Sequence, residues 1–183
     1  MKKVYMFLAT GFQETEAISQ ITILLRTDID IKTVSITGNR WVESTNGLKV
    51  EADLLFEECD FADADMLVMP GGMPGATNLR DFAPLKQVIM NHYNQGCPLA
   101  AICAAPIVYG SIGLLKGKRV TCYPGFEDQL IGAIPTGNSI EVDGLFITGK
   151  GPGVSQEFGF AIIDYFFGKA ETDRVKAGMM FEK

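Results

Sequence analysis

The sequence predicts an α/β fold built on a mostly parallel sheet with helices on both faces. Three observations carry this expectation. Short runs such as Val4–Ala9, Met66–Met69 and Pro98–Ile102 are apolar throughout, as strands covered on both faces must be. Between them lie segments whose apolar residues recur at helical spacing. Strands and helices also alternate along the chain, the order that yields parallel pairing through crossover helices.

Taken in order, Val4–Ala9 is a first strand ending in Thr10-Gly11; the apolar run is too short, and too quickly followed by Glu14 and Glu16, for a signal peptide. Glu14–Arg26 places Ala17, Ile18, Ile21, Leu24 and Leu25 on one helical face. Ile29–Thr37 alternates like a strand, and Val42–Val50 reads as a hairpin turning at Asn46-Gly47. Met66–Met69 is a strand stopped by Pro70-Gly71-Gly72, and Leu85–Gln95 is an amphipathic helix with Gly96 as its C-cap. His92, the one histidine, lies near the end of that helix and reads as a surface residue rather than a base. Pro98–Ile102 is a strand, and Ala104–Leu115 is expected to be a helix starting directly after Cys103. Arg119–Cys122 and Leu145–Thr148 complete the short strands, and Ser155–Phe167 is a closing helix. No repeat or linker interrupts the 183 residues, so one domain spanning 1–183 is expected.

Composition narrows the function. Hydrophobic residues make up 47% and charged residues 21% of the chain, an ordinary globular balance. A net charge of -6 offers no basic footprint for nucleic acid or an anionic membrane, and no apolar run approaches a membrane span. Cys59, Cys97, Cys103 and Cys122 are scattered without a CxxC pair or a neighbouring histidine ligand. A structural metal site and a disulfide framework are therefore not expected, and reduced thiols in a cytoplasm fit the pattern. No cofactor is expected either.

Chemistry concentrates at three strand ends, in "ATGFQETEA", "VMPGGMPGATN" and "AAICAAP". In a parallel sheet they share one rim, where ligands bind. Cys103 stands at a strand-to-helix turn among Ala100, Ala101, Ala104 and Ala105, a setting like a nucleophile elbow. A helix N-terminus behind it would favour thiolate; the alternative is a small buried hydrophobe. Glu14 and Glu16 are candidate carboxyl partners, or else solvated residues of a first helical turn. Gly71 and Gly72 can turn backbone N–H groups toward an oxyanion, or simply make a turn, and the stretch lacks the ending of a phosphate-binding loop.

With Glu16, Gly72 and Cys103 in view, the chain resembles the ThiJ/PfpI superfamily, and within it the DJ-one branch, through "TGFQETEA", "VMPGGMPGATNL", "AAICAAP", "GKGPGVSQEFGFAI" and "RVKAGMMFEK". The resemblance implies a flavodoxin-like three-layer sandwich, usually a homodimer, with Cys103 as reactive cysteine at a nucleophile elbow and Glu16 as its carboxyl partner. It implies too that Gly72 and the N–H of Ala104 form an anion pocket. Members act as glyoxalases or deglycases on methylglyoxal adducts, as oxidative-stress sensors and chaperones, or as cysteine peptidases, and an older label links some to thiazole biosynthesis. The peptidase branch carries histidine directly after the cysteine, where this chain has Ala104, so a peptidase is disfavoured. Where a histidine often sits in a "THP"-like stretch, this chain reads "TCYP", with Tyr123 in that place and Cys122 beside it.

Two functions follow as expectations. One is an enzyme in which Cys103 attacks a small carbonyl substrate while Glu16 shuttles protons. The other is a redox sensor or chaperone whose partner is an oxidant that converts Cys103 to sulfinate.

Overall fold

The computed structural model describes residues 1–181. Its main sheet comprises β1 (Lys2–Leu8), β2 (Ile29–Ser35), β5 (Leu54–Leu55), β6 (Met66–Met69), β7 (Leu99–Ile102), β10 (Ile140–Asp143) and β11 (Phe146–Gly149), with β3 (Trp41–Glu43), β4 (Lys49–Glu51), β8 (Arg119–Val120) and β9 (Ile134–Pro135) outside it. The strand order is β10-β11-β7-β6-β1-β2-β5, parallel throughout except for the antiparallel β10–β11 pair. This is a flavodoxin-like arrangement. The chain runs from β1 outward to β2, then returns to β6 on the other side of β1, and that reversal opens a crevice at the carboxyl ends of the strands.

The helices are α1 (Glu14–Leu24), α2 (Gly75–Asp81), α3 (Ala83–Asn94), α4 (Ile107–Ser111), α5 (Ser155–Phe167) and α6 (Lys169–Gly178). Helices α1, α5 and α6 pack together as one layer, and α2 packs with α3 and α4 as the other. Their apolar faces close over a core in which all of β6 and β7 is buried. A fully buried aliphatic or aromatic side chain contributes about 1.5–3 kcal/mol, so these two strands anchor the sheet centre from which the site projects.

Several expectations need correction. The helix after Cys103 does not start at Ala104. Residues 103–106 form tight turns, Pro106 caps the helix, and α4 extends only from Ile107 to Ser111. Gly113, at φ 74 just past the C-cap Ile112, accounts for the early stop, while inside the helix Gly110 lies so close to Gln129 that a Cβ would meet its carbonyl at 2.3 Å. Strand β8 pairs with β9 instead of joining the main sheet, because β11 already occupies the edge of β7. His92 is buried at 3% exposure, with Nε2 3.0 Å from the Pro98 carbonyl, and that burial lowers its pKa. Its spacing from Leu85 and Ile89, seven and three residues earlier on the same helical face, explains the burial. Strand β10 and helices α2 and α6 were not expected at all.

Phe146 on β11 is 1% exposed and stacks between Tyr93 of α3 and Tyr109 of α4, at 5.6 and 5.8 Å between ring centroids. Phe146→Ala is expected to cost about 3–5 kcal/mol, read as a fall in the urea midpoint at unchanged slope.

Candidate active site

Three loops converge on the crevice, and close backbone contacts tie them together. After β1, the Gln13 N–H donates to the Gly71 carbonyl at 2.8 Å, and Gly75 N–H donates to the Gly11 carbonyl at 3.2 Å. The Asn78 side-chain amide donates to the Thr10 carbonyl at 2.9 Å. The approach is so close that Gly72, at φ +91, could carry no Cβ: it would stand 2.4 Å from the Gln13 nitrogen.

Cys103 lies at the end of β7 with φ 64, in the left-handed region, where a side chain is strained. Its own backbone holds it there: the Cys103 N–H donates to the Gly149 carbonyl at 2.8 Å, and its carbonyl accepts the Tyr123 N–H at 2.9 Å. The residue is 7% exposed, and its small neighbours Ala100, Ala101, Ala104 and Ala105 are all buried. The strand-end turn thus holds a strained residue clamped on both sides.

Glu16 occupies the first turn of α1, whose N-cap Gln13 accepts the Thr15 N–H at 2.5 Å. It is fully buried, and its Oε2 accepts the Gly71 N–H at 2.7 Å. Oε1 has no conventional hydrogen bond, and the carboxyl's other polar neighbour is the Cys103 thiol, with which it interacts directly. Gly71 sits between the two. A Cβ there would lie 2.6 Å from the Cys103 Cβ and 2.9 Å from Glu16 Oε2.

A first-turn carboxylate is ordinarily favoured by the helix dipole. Here burial wins, pushing Glu16 up to about 7, against the opposing hydrogen bonds from Cys103 and Gly71. Burial, then the Glu16 charge, pushes the Cys103 thiol up to about 12, while the N–H groups of Gly72 and Ala104 face the sulfur and pull the other way. The expectation of a sulfur already ionised at rest is thus not met. Helix α4 begins too late and is too short to supply the missing charge. Near neutrality the pair holds one proton on sulfur and a second that is half-occupied on the carboxyl.

The remaining candidates separate clearly. Glu14 accepts from the Asn46 side chain at 2.6 Å, which lowers its pKa, and it is not among the groups acting on Cys103. Cys122 is buried, and burial followed by the Glu127 charge pushes it up to about 11. Tyr123 is 47% exposed beside the site. Its position follows from the Thr121 N–H donating to Thr148 Oγ1 at 3.0 Å, which fastens this loop to β11. Sequence reasoning did not identify Gly149 and Gln13 as positioning residues, although Gln13 stands three residues before Glu16, the spacing of an N-cap. Among the described residues no group of three or more His, Cys, Asp and Glu could hold a metal ion. No helix among them is long and apolar enough to cross a membrane.

A parallel sheet with a clamped cysteine at its switch-point rim and a buried carboxyl beside it defines a cysteine-centred α/β protein. The chain belongs to the DJ-1/PfpI family, whose pattern it matches over residues 2–165. It is 33% identical to Protein DJ-1 homolog B of Arabidopsis thaliana over 181 residues, 98% of this chain but 41% of that protein, so it spans less than half the length of that relative. It is 34% identical over 115 residues, 61% of this chain and 68% of the other, to a Pyrococcus abyssi protein named as a deglycase. Among solved structures, oxidised DJ-1 of Toxoplasma gondii superposes with a TM-score of 0.95 at 31% identity, covering 100% of both chains.

The raised Glu16 pKa has a thermodynamic consequence. Below its ordinary value of 4.5 the carboxyl is protonated whether folded or unfolded, and its contribution to stability is complete. As pH rises from 4.5 toward about 7 the unfolded chain ionises while the buried group keeps its proton, so stability on the order of 3 kcal/mol is lost progressively and the loss is complete above about 7. Glu16→Gln, which keeps an acceptor for Gly71, should flatten this fall. Urea titrations of both proteins at intervals between pH 5 and pH 8 measure the difference; parallel curves would contradict the assignment.

Proposed function

We propose that the protein is a cysteine-dependent, stress-protective enzyme with glyoxalase- or deglycase-like action on small dicarbonyls or their adducts, through Cys103 with Glu16. The observation that carries this reading is the direct pairing of a buried carboxyl at about 7 with a thiol whose sulfur also faces the N–H groups of Gly72 and Ala104. A carboxylate half-formed near neutrality is matched to taking and returning a proton. Membership of the family and the deglycase named among the relatives support it.

For an α-oxo aldehyde the steps balance without an outside oxidant. The thiol gives its proton to Glu16 as sulfur bonds to the aldehyde carbon, and the carbonyl electron pair moves to an oxyanion held by the two N–H groups. Glu16 passes that proton on to the oxyanion, then takes the C–H proton of the former aldehyde carbon and returns it to the adjacent carbonyl carbon, while the hydroxyl proton passes to the adjacent oxygen, leaving a thioester of a 2-hydroxy acid. Water cleaves the C–S bond, so substrate plus one water becomes the hydroxy acid and the thiol is restored. No imidazole takes part: His92 is not among the groups acting on either member of the pair. A homodimeric assembly, a single domain across residues 1–183 and a cytoplasmic location rest on the resemblance and on composition.

A second reading is favoured by the same N–H groups. Peroxide converting the sulfur to sulfinate, with two peroxides reduced to two waters, would place two oxygens where Gly72, Ala104 and a protonated Glu16 can donate to them.

Methylglyoxal should be consumed with a rate rising through pH 7. Cys103→Ser should abolish turnover, and Glu16→Gln should remove the inflection and lower kcat/KM by about a hundredfold or more. Unchanged turnover in Cys103→Ser ends the enzymatic reading. For the second, intact mass after mild peroxide should show two oxygens added at Cys103; preferential oxidation of Cys59 or Cys97 counts against it.

A further inference from the structure

Away from the rim that carries Cys103, a recess of about 280 Å³ lies between the turn at Phe61–Asp63 and α3. Cys59, Asp60, Phe61, Val88, Asn91 and His92 are among its walls, and it shares no lining residue with the candidate active site. One polar group in these walls is unmet. His92 is 3% exposed, and its Nε2 stands 3.0 Å from the Pro98 carbonyl. A carbonyl can only accept, so the ring's hydrogen is on Nε2, and burial, which lowers the His92 pKa, keeps the ring neutral. Nδ1 is therefore a lone-pair acceptor, and although buried it has no hydrogen-bond partner among the described residues. With Nε2 committed to Pro98, Nδ1 is the polar atom that His92 brings to the recess, and a buried acceptor of this kind calls for a donor.

The surroundings set the sign of that donor's charge. No lysine or arginine lines the recess. Its one formal charge is Asp60, whose Oδ1 caps the turn by accepting the Ala62 N–H at 3.0 Å, which leaves Oδ2 for a ligand. Glu58, itself bridged to Arg40, and Glu57 both act on the neighbouring Cys59, while Lys3, whose charge also reaches that thiol, is paired with Asp63. Cys59 is an uncharged wall: burial pushes it up to about 11, and its Sγ donates to the Leu55 carbonyl at 3.3 Å. Phe61 supplies a flat apolar surface, held in place by the rings of Tyr5, Phe7 and Phe56 with centroids 5.2, 5.4 and 5.0 Å away.

We propose that this recess binds a small planar organic cation with N–H donors, of the amidinium or guanidinium class. One N–H donates to His92 Nδ1, a second to Asp60 Oδ2, and the flat face rests on Phe61. The volume lies just under the ~300–1,000 Å³ of pockets for drug-sized ligands, which suits a group of one ring or less. The site requires nothing of Cys103 and stands apart from the carbonyl chemistry.

His92 is the one histidine of the chain, so its two ring nitrogens can be followed directly by ¹⁵N NMR. Benzamidine, the neutral benzamide of the same shape and the anionic benzoate are titrated into the full chain. Benzamidine should move the Nδ1 resonance; benzamide should bind about tenfold more weakly, and benzoate should leave Nδ1 in place. Asp60→Asn keeps the acceptor for Ala62 and should weaken benzamidine about tenfold by the same readout. His92→Gln keeps a donor for Pro98 and should weaken it similarly by calorimetry, while Cys103→Ser should bind as wild type does. Capped arginine amide forms a second arm: tighter binding than benzamidine assigns the cation to an arginine side chain, weaker binding to a free small molecule, and either upholds the site. An Nδ1 resonance that neither cation moves overturns the proposal. Equal responses to benzamidine and benzamide, or affinity that both Asp60→Asn and His92→Gln leave unchanged, overturn it too.

Discussion

Cys103 is held in a backbone conformation that costs a non-glycine residue about 1–3 kcal/mol, and it stays there because hydrogen bonds on both sides leave it no alternative. Its N–H is committed to Gly149 and its carbonyl to Tyr123. Relaxing φ from 64 toward the ordinary region would break one bond or the other inside a dry core. That clamp aims the sulfur at Glu16 and at the N–H groups of Gly72 and Ala104. It also joins the ends of β7 and β11 to the Tyr123 loop.

Burial sets the electrostatics that follow. A helix dipole and paired N–H groups would lower a thiol pKa at an exposed turn, yet here desolvation dominates for both partners. The result is a Cys103 thiol that is protonated at rest. In the proposed mechanism, activation depends on a carboxyl that changes its own protonation close to neutrality, which is the task an imidazole performs in many cysteine enzymes. His92 cannot take it over, since burial favours its neutral form and its Nε2 faces the Pro98 carbonyl.

Much of this was legible because buried parallel strands leave a plain mark. Val4–Ala9, Met66–Met69 and Pro98–Ile102 could be placed from apolar content alone, each within two residues of the observed strand. The convergence of Glu16, Gly71, Gly72 and Cys103 followed from putting their strand ends on one rim. What escaped was decided by tertiary contact or by short signals. The helix after Cys103 has the right periodicity, but the strained turn and Pro106 delay it and Gly110 abuts Gln129. Strand β10 is half polar, though its two-residue turn to β11 places Gly144 first, where a type II′ hairpin wants glycine. The protonation of Cys103 depends on how deeply the pair is sealed, and no spacing of residues reports that.

The glycine wall made by Gly71 and Gly72 has a longer-term consequence. Every larger residue there collides with the machinery itself, so this flank of the crevice cannot be remodelled in small steps. Around Gly151 and Gly153 there is more room: a Cβ at Gly153 meets nothing within 4 Å, and one at Gly151 meets only the Tyr123 side chain. Sequence change is therefore channelled to one side: larger residues are shut out at Gly71 and Gly72, while Gly153 can take them without collision.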